Sequence, residues 1–349
     1  MKSKVYFYPL SAKSTNHQRA VAGRAVLEAV LQDTGIGLIP ELPLKLHFGE
    51  KGNHTYLKPE IFDPIIDFLE EQNIRGAFTE TSVLYGGERF DAKRHTALAA
   101  AHGFTRLPVV IADGEHGEKS VNIPVINGRH FQSAAIAEYL AGSEQILVLS
   151  HFKGHMLAGF GGALKQLSMG FASKGGKMAM HLSVTPRIKF RKCKACRLCL
   201  SRCNAGAIKP ENGKFAIDPS KCIGCGACFS ICPQKAISVF SLAGLKNMLF
   251  GRRFFREKLA EYASASHRGK KNIYLNFAVD ITAGCDCEPR KMSSCTPDIG
   301  VFASLDPVAI DAACLDAAAK AGKVFKGRDI LEYAASLGTG NRIYEIIKV

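Results

Sequence analysis

Cys193-x2-Cys196-x2-Cys199-x3-Cys203 is followed, 29 residues on, by Cys222-x2-Cys225-x2-Cys228-x3-Cys232-Pro233. The second run repeats the first, and Ala207-Ile208 returns as Ala236-Ile237. Eight thiols in this doubled spacing form the ligand set of two cubane [4Fe–4S] clusters. Three cysteines two residues apart wrap one cube on a tight loop. The fourth of each run is out of that loop's reach and ligates the other cube. The spacing therefore assigns Cys193, Cys196, Cys199 and Cys232 to one cluster, and Cys222, Cys225, Cys228 and Cys203 to the other. A zinc ribbon has no use for the third cysteine of each run. A disulfide framework requires an exported chain. One asymmetry stands out: Asn204 occupies the place that Pro233 takes in the second run.

Working outward, 349 residues allow about two domains, and 47% hydrophobic with 22% charged residues is a soluble globular balance. No stretch of about 18 apolar residues occurs, so no transmembrane helix is expected. The segment 1–9 carries no signal-peptide apolar region, and twelve cysteines then point to metal chemistry in a reducing cytoplasm. The formal charge of +15 falls to about +11 once each cube with four thiolates is counted as −2. Lys189, Arg191, Lys192, Lys194, Arg197 and Arg202 crowd the first cysteine loop. They read as a solvated face offsetting cluster charge, or as a docking patch for an acidic redox partner protein. Nucleic acid ranks last, because no binding motif accompanies the charge.

On both sides of the ladder apolar strands alternate with helical patterns, which argues an α/β fold with a mostly parallel sheet and flanking helices. Strands are expected at 4–8, 42–47, 76–79, 108–112 and 145–149, with helices at 15–32, 59–73, 89–102 and 131–141. After the ladder come a helix over 241–264 broken near Gly251, strands at 271–279 and 298–303, and a helix to 321 opened by Asp306-Pro307. A helix at 327–337 and a strand-like tail at 342–349 close the chain. The domain reading is thus 1–186 and 241–349 as two parts of one α/β unit, with a small α+β, bacterial-ferredoxin-like unit inserted at 187–240.

Polar residues gather where the strands end. They are His47, Glu50 and Asn53, then Thr79, Glu80 and Thr81, then Asp113, then Ser150, His151, Lys153 and His155. In open α/β sheets the carboxyl ends of strands form the ligand crevice. Each residue alone is an ordinary turn or cap residue; four strands doing this together point to a pocket. His151 and His155 would share a face if their turn were helical. The segment 151–187 is glycine-rich and basic, with Lys165, Lys177 and His181, and reads as an anion-binding segment or as a surface loop. Met178 after Lys177 excludes a P-loop, and Leu164 excludes a dinucleotide fingerprint. Cys285-Asp286-Cys287 is not a cubane spacing; it holds a further metal ion, acts as a redox dithiol, or is two plain thiols. Cys314, among alanines, reads as core.

These blocks together resemble the iron–sulfur-centre proteins grouped as domain of unknown function 362. The resemblance rests on Lys45-Leu-His47-Phe-Gly49-Glu50-Lys-Gly52-Asn53, Thr79-Glu80-Thr81, Leu84-Tyr85-Gly86-Gly87 with Arg89, and Ala112-Asp113-Gly114. It continues through Leu149–Gly154 with His155, Gly159–Lys165, Gly176–His181, Cys285-Asp-Cys287, Pro297–Gly300 and Ser304–Asp311. Gln166 and Ser168 depart from the pattern, where Asn and Gly are expected. The resemblance implies a large α/β domain with an inserted two-cluster ferredoxin unit, and supplies no reaction. The residues themselves suggest a redox protein, an oxidoreductase or a component of one. In that reading His47, Glu50, His151, Lys153 and His155 serve as catalytic or proton-handling groups. Thr79, Thr81, Arg89, Asp113, Lys165, Lys177 and His181 hold a small anionic ligand. The alternatives are a non-enzymatic electron carrier with a docking domain, and a metal- or cofactor-handling factor.

Overall fold

A computed structural model describes residues 2–182, 186–201, 203, 206–219, 221–222, 227–238 and 242–349. The chain runs β1 (Ser3–Pro9), α1 (Asn16–Thr34), β2 (Glu41–Lys45), α2 (Asp63–Glu71), β3 (Arg75–Glu80), α3 (Ala92–Ala101) and β4 (Val109–Ile111). A hairpin of β5 (Ser120–Pro124) and β6 (Ser133–Ala137) leads to α4 (Glu138–Gly142) and β7 (Leu147–His151). A second, short hairpin of β8 (Lys153–His155) and β9 (Gly159–Gly161) enters α5 (Ala163–Lys165), a π-turn (Gln166–Gly170) and α6 (Lys174–Leu182). The cysteine-bearing part holds β10 (Arg187–Ile188), α7 (Leu198–Ser201), β11 (Ile208–Glu211), β12 (Lys214–Ile217), α8 (Ala227–Ile231) and β13 (Ile237–Ser238). It is followed by α9 (Leu242–His267), β14 (Ile273–Ala278), β15 (Gly300–Ser304), α10 (Pro307–Lys320), α11 (Asp329–Ser336) and β16 (Tyr344–Lys348).

Eight strands form one sheet in the order β16-β1-β15-β14-β7-β2-β3-β4, drawn from both sides of the cysteine ladder. Every neighbouring pair is parallel except those made by β15, which runs against β1 and β14. Burial is continuous along β7, β14 and β15, as a sheet covered on both faces requires, while successive side chains enter opposite cores. Val5, Val148 and Tyr274 enter one core with α9, α10 and α11, while Tyr6, Leu147, Leu149, Ile273 and Leu275 enter the other with α1 and α2. The helix α1 is set by a capping box: the Gln18 amide donates to Thr15 Oγ1 (3.2 Å) and the Thr15 amide to Gln18 Oε1 (2.9 Å). Gly35 closes it in the left-handed region at φ 65°.

Several sequence expectations need correcting. The helix expected at 131–141 is strand β6 followed by the short α4. The overlooked signal is Asn127-Gly128, with Asn127 at φ 57° in the loop joining β5 to β6. The helix expected to break at Gly251 is continuous from Leu242 to His267. Packing of Phe255, Leu259 and Tyr262 into the core outweighs the roughly 1 kcal/mol that a mid-helix glycine costs. His151 and His155 lie on β7 and β8 rather than on a helical turn. The strand expected at 298–303 begins at Gly300 and is the antiparallel member of the sheet. The surface-loop alternative for 151–187 fails where the segment is described: Phe152, Phe160, Ala163, Leu164, Leu167, Phe171 and Met180 are all core. The small strands of the cysteine unit pair among themselves, β10 with β13 and β11 with β12. They close their own core of Cys199, Ile208, Phe215, Cys228 and Ile237.

Candidate functional site

From β2 the chain winds outward through β3 and β4, then returns to lay β7 on the other side of β2. This reversal of strand order opens a crevice at the carboxyl ends of β2, β3 and β7. A cavity of about 400 Å³ lies there. His47 reaches it from the end of β2, Thr81 and Arg89 from beyond β3, and His151 from the end of β7. Lys153, His155, Lys165, Lys177, His181, Cys285 and Cys287 complete the expected lining. Three expected residues stand behind it instead. Glu50 accepts from Arg89 Nε at 3.1 Å, and Asp113 Oδ1 accepts from the Ser82 amide at 2.9 Å. Thr79 is wholly buried and donates to its own strand at Ala77 O.

The cavity is rich in cations, and they are held differently. Arg89 is a buried hub touching Glu50, Glu80 (3.5 Å), the Tyr85 hydroxyl and His47. Lys45, the wholly buried last residue of β2, is paired with Glu80. Lys177 has no carboxylate in contact among the described residues; it donates to Thr81 Oγ1 (2.6 Å) and Ala172 O (2.8 Å). Burial, partly offset by Asp113 and Glu80, brings its pKa down to about 8. His47 Nδ1 lies 2.9 Å from the Gly49 amide, and its Nε2 is in hydrogen-bond contact with Arg89 Nη1 at 2.8 Å, so the ring is held from both sides. Burial, then Arg89, hold His47 far below the usual imidazole range. His155 Nδ1 accepts from the Ala158 amide (3.0 Å), and burial with Lys165 and Lys153 lowers its pKa to about 2. It is a fixed neutral donor.

The Cys285–Glu288 segment is one turn, closed by the Glu288 amide on Cys285 O at 2.9 Å. Asp286 is clamped by His151 Nδ1 (2.9 Å) and Lys153 Nζ. Its main-chain oxygen accepts from the Glu50 amide, and Asn53 Nδ2 donates to Glu288 O. Lys165 Nζ sits 3.2 Å from Cys285 Sγ, and the Cys287 amide donates to the same sulfur at 3.4 Å. The hydrogen bond from Cys287, then Lys165 and Lys153 against the cost of burial, hold the Cys285 thiol well below its ordinary range. The same bond and burial push Cys287 well up. Sequence reasoning missed Asp286, Tyr85 and Lys45. A lysine between apolar neighbours was the available signal for the last.

In the cysteine unit, Cys193, Cys196, Cys199 and Cys232 line one small cavity, closed by Ile188, Phe215 and Ile237. Ala195 and Arg197 turn the loop through the left-handed region at φ 54° and 63°. The 29-residue repeat is carried into three dimensions. The Ala207 and Ala236 amides each donate to a fourth-cysteine sulfur, Cys203 or Cys232, at 3.3 Å. Cys199 and Cys228 are both 9% exposed, and Ile208 and Ile237 both 4%, so the halves occupy equivalent environments. Cys203, Cys222 and Cys228 of the second set are described; Cys225, Asn204 and Arg202 lie outside the described residues. Among the described residues, no three His, Cys, Asp or Glu side chains are grouped to seat a single ion. A cubane instead spreads its thiolates around a cluster, and the four thiols lining the first cavity are the four that the cysteine spacing assigns to one cube.

Residues 43–316 match the family model described as domain of unknown function (DUF362), and the chain belongs to that family. Curated relatives match over shorter stretches. A component of an ion-translocating oxidoreductase complex of Methanosarcina acetivorans is 49% identical over 47 residues, 14% of this chain and 18% of its own. An uncharacterised ferredoxin of Methanocaldococcus jannaschii is 34% identical over 80 residues, 22% of this chain and 52% of its own. The PorD component of pyruvate synthase from the same organism is 43% identical over 54 residues, 15% of this chain and 63% of its own. The chain thus spans less than two thirds of each of these relatives. Among solved structures, a Thermotoga maritima protein aligns with TM-score 0.42 and 12% identity over 94% of this chain and 60% of that one. The lactate racemase apoprotein of Thermoanaerobacterium thermosaccharolyticum aligns with TM-score 0.38 and 12% identity, over 80% and 51%. Both likenesses are too loose to bear on chemistry.

Proposed function

We propose that this protein is an iron–sulfur redox protein whose two [4Fe–4S] clusters exchange electrons with a small anionic ligand held in the strand-end cavity. The coarse part, an iron–sulfur redox protein, is supported by the ferredoxin and oxidoreductase-component relatives together with the eight-cysteine ladder. The observation that carries the cluster assignment is the first cysteine cavity: three of its thiols come from one run and the fourth, Cys232, from the other. Cys193, Cys196, Cys199 and Cys232 would hold one cluster, and Cys203, Cys222, Cys225 and Cys228 the other. The clusters supply one-electron transfer. An anion is favoured by Lys177, which has no carboxylate in contact among the described residues, and by Arg89 and Lys165, which line the same cavity.

The test is an iron and sulfide count on protein purified without oxygen. About eight of each per chain is expected, with about four in Cys232→Ala, because that change empties one cube and leaves the other its four thiols. A wild-type count near four overturns the two-cluster assignment, and a count near zero overturns the iron–sulfur reading.

A further inference from the structure

We infer that Cys285 and Cys287 are a redox-active dithiol that reduces a small, negatively charged disulfide in the strand-end cavity. The inference rests on the proposed clusters only for the source of electrons that restores the pair.

Two thiols are brought to one cavity by a turn that cannot readily relax. Asp286, between them, is anchored on His151 and Lys153, and the turn's main chain is tied to Glu50 and Asn53. The Cys287 amide already donates to Cys285 Sγ at 3.4 Å, so the turn brings the second cysteine's main chain against the first thiol. Lys165 Nζ, 3.2 Å from Cys285 Sγ, stabilises a thiolate there and stands where a metal ion would approach. A divalent cation beside that ammonium, with Lys153 also near, would meet like charge. The same cations favour a substrate bearing carboxylate or phosphate, and the cavity volume limits it to a small molecule.

The step with substrate needs no other reagent, and the return step needs a reductant. The Cys285 thiolate attacks the substrate disulfide, forming a mixed disulfide and expelling one substrate thiolate. Cys287 loses its proton to solvent and attacks Cys285 Sγ, so the internal Sγ–Sγ bond forms and the second substrate thiolate leaves. The substrate disulfide has gained two electrons and the cysteine pair has lost two. A low-potential one-electron donor, acting twice with uptake of one proton, returns the pair to thiolate and thiol.

The experiment uses anaerobic full-length holoprotein, first reduced and freed of reductant. It is mixed with dianionic dithiobis-nitrobenzoate or with dicationic cystamine, and the products are mapped by peptide mass spectrometry. The expected result is a Cys285–Cys287 disulfide with two equivalents of released nitrobenzoate thiolate, formed at least about tenfold faster with the dianion than with cystamine once each rate is divided by that reagent's rate with free cysteine. Cys287→Ser should trap a mixed disulfide on Cys285. Lys165→Met should slow reaction at Cys285 about tenfold, and Lys165→Arg should restore it. Retained iron identifies folded variants. A stable mixed disulfide in the wild type, reaction confined to other cysteines, or a stoichiometric non-iron metal released by Cys285→Ser overturns the dithiol. The iron count on the same sample reads the cluster assignment separately: eight iron without the linked peptide sinks this inference alone.

Discussion

At the level of single residues, the cavity is built from cations whose charge the fold opposes to different degrees. Lys45 and Arg89 are matched by Glu80 and Glu50, whereas Lys177 rests on a hydroxyl and a carbonyl. Its folded pKa, about 8, lies below its ordinary 10.5. Between those values the unfolded chain retains a proton that the folded chain has lost, so stability rises with pH across that window. Lys177→Met should abolish this rise in denaturant melts taken from pH 7.5 to 10.5, while changing stability at pH 7 by no more than about 1 kcal/mol. An unchanged pH profile would mean that Lys177 is solvated in the folded protein. The sheet edge that carries the cavity was legible in the sequence, because chemistry-bearing residues recur after successive apolar strands. Glu50, Thr79 and Asp113 shared that pattern yet lie behind the cavity. Position after a strand fixes the edge of the sheet, not which side chain reaches the ligand.

At the level of elements, the parallel strands and most helices could be read from apolar periodicity, whereas the hairpins could not. The β5–β6 hairpin hid behind alanines that suit helix and strand alike, and only its turn residues distinguish the two. The direction of β15 was equally hidden, since an apolar run carries no mark of polarity. The helix α9 shows packing overriding propensity: Gly251 lies within it, and a Cβ there would meet nothing within 4 Å. Gly251→Ala should therefore stabilise the protein by about 0.5–1 kcal/mol in thermal or urea melts. A loss of stability would mean that the helix needs that glycine to bend. Asp306 caps α10 by accepting from the Val308 and Ala309 amides, and also accepts from Ser3 Oγ and the Asn341 amide. Asp306→Ala should cost about 2 kcal/mol or more, because it removes the cap and two tertiary anchors together. A loss below about 0.5 kcal/mol would show those contacts to be incidental.

For the whole molecule, one α/β sheet is assembled from chain on both sides of a small cysteine unit with its own core. Lys189, Arg191, Lys192, Lys194 and Arg197 are exposed on that unit. Replacing Lys189, Lys192 and Lys194 by Glu should slow reduction by an acidic electron-donor protein about tenfold or more at low salt, and the difference should shrink as salt rises. Rates that ignore both charge and salt would leave the patch a merely solvated face. A different consequence follows from the pairing of β1. Its two neighbours are β15 and β16, so β1 leaves the ribosome with no sheet partner until residues 300–304 have been made. Both cysteine runs emerge well before that point. Synthesis is vectorial, and local units fold as they appear. The cysteine unit can thus be complete while the sheet still has a loose edge, and β16, translated after the other seven strands, seals β1.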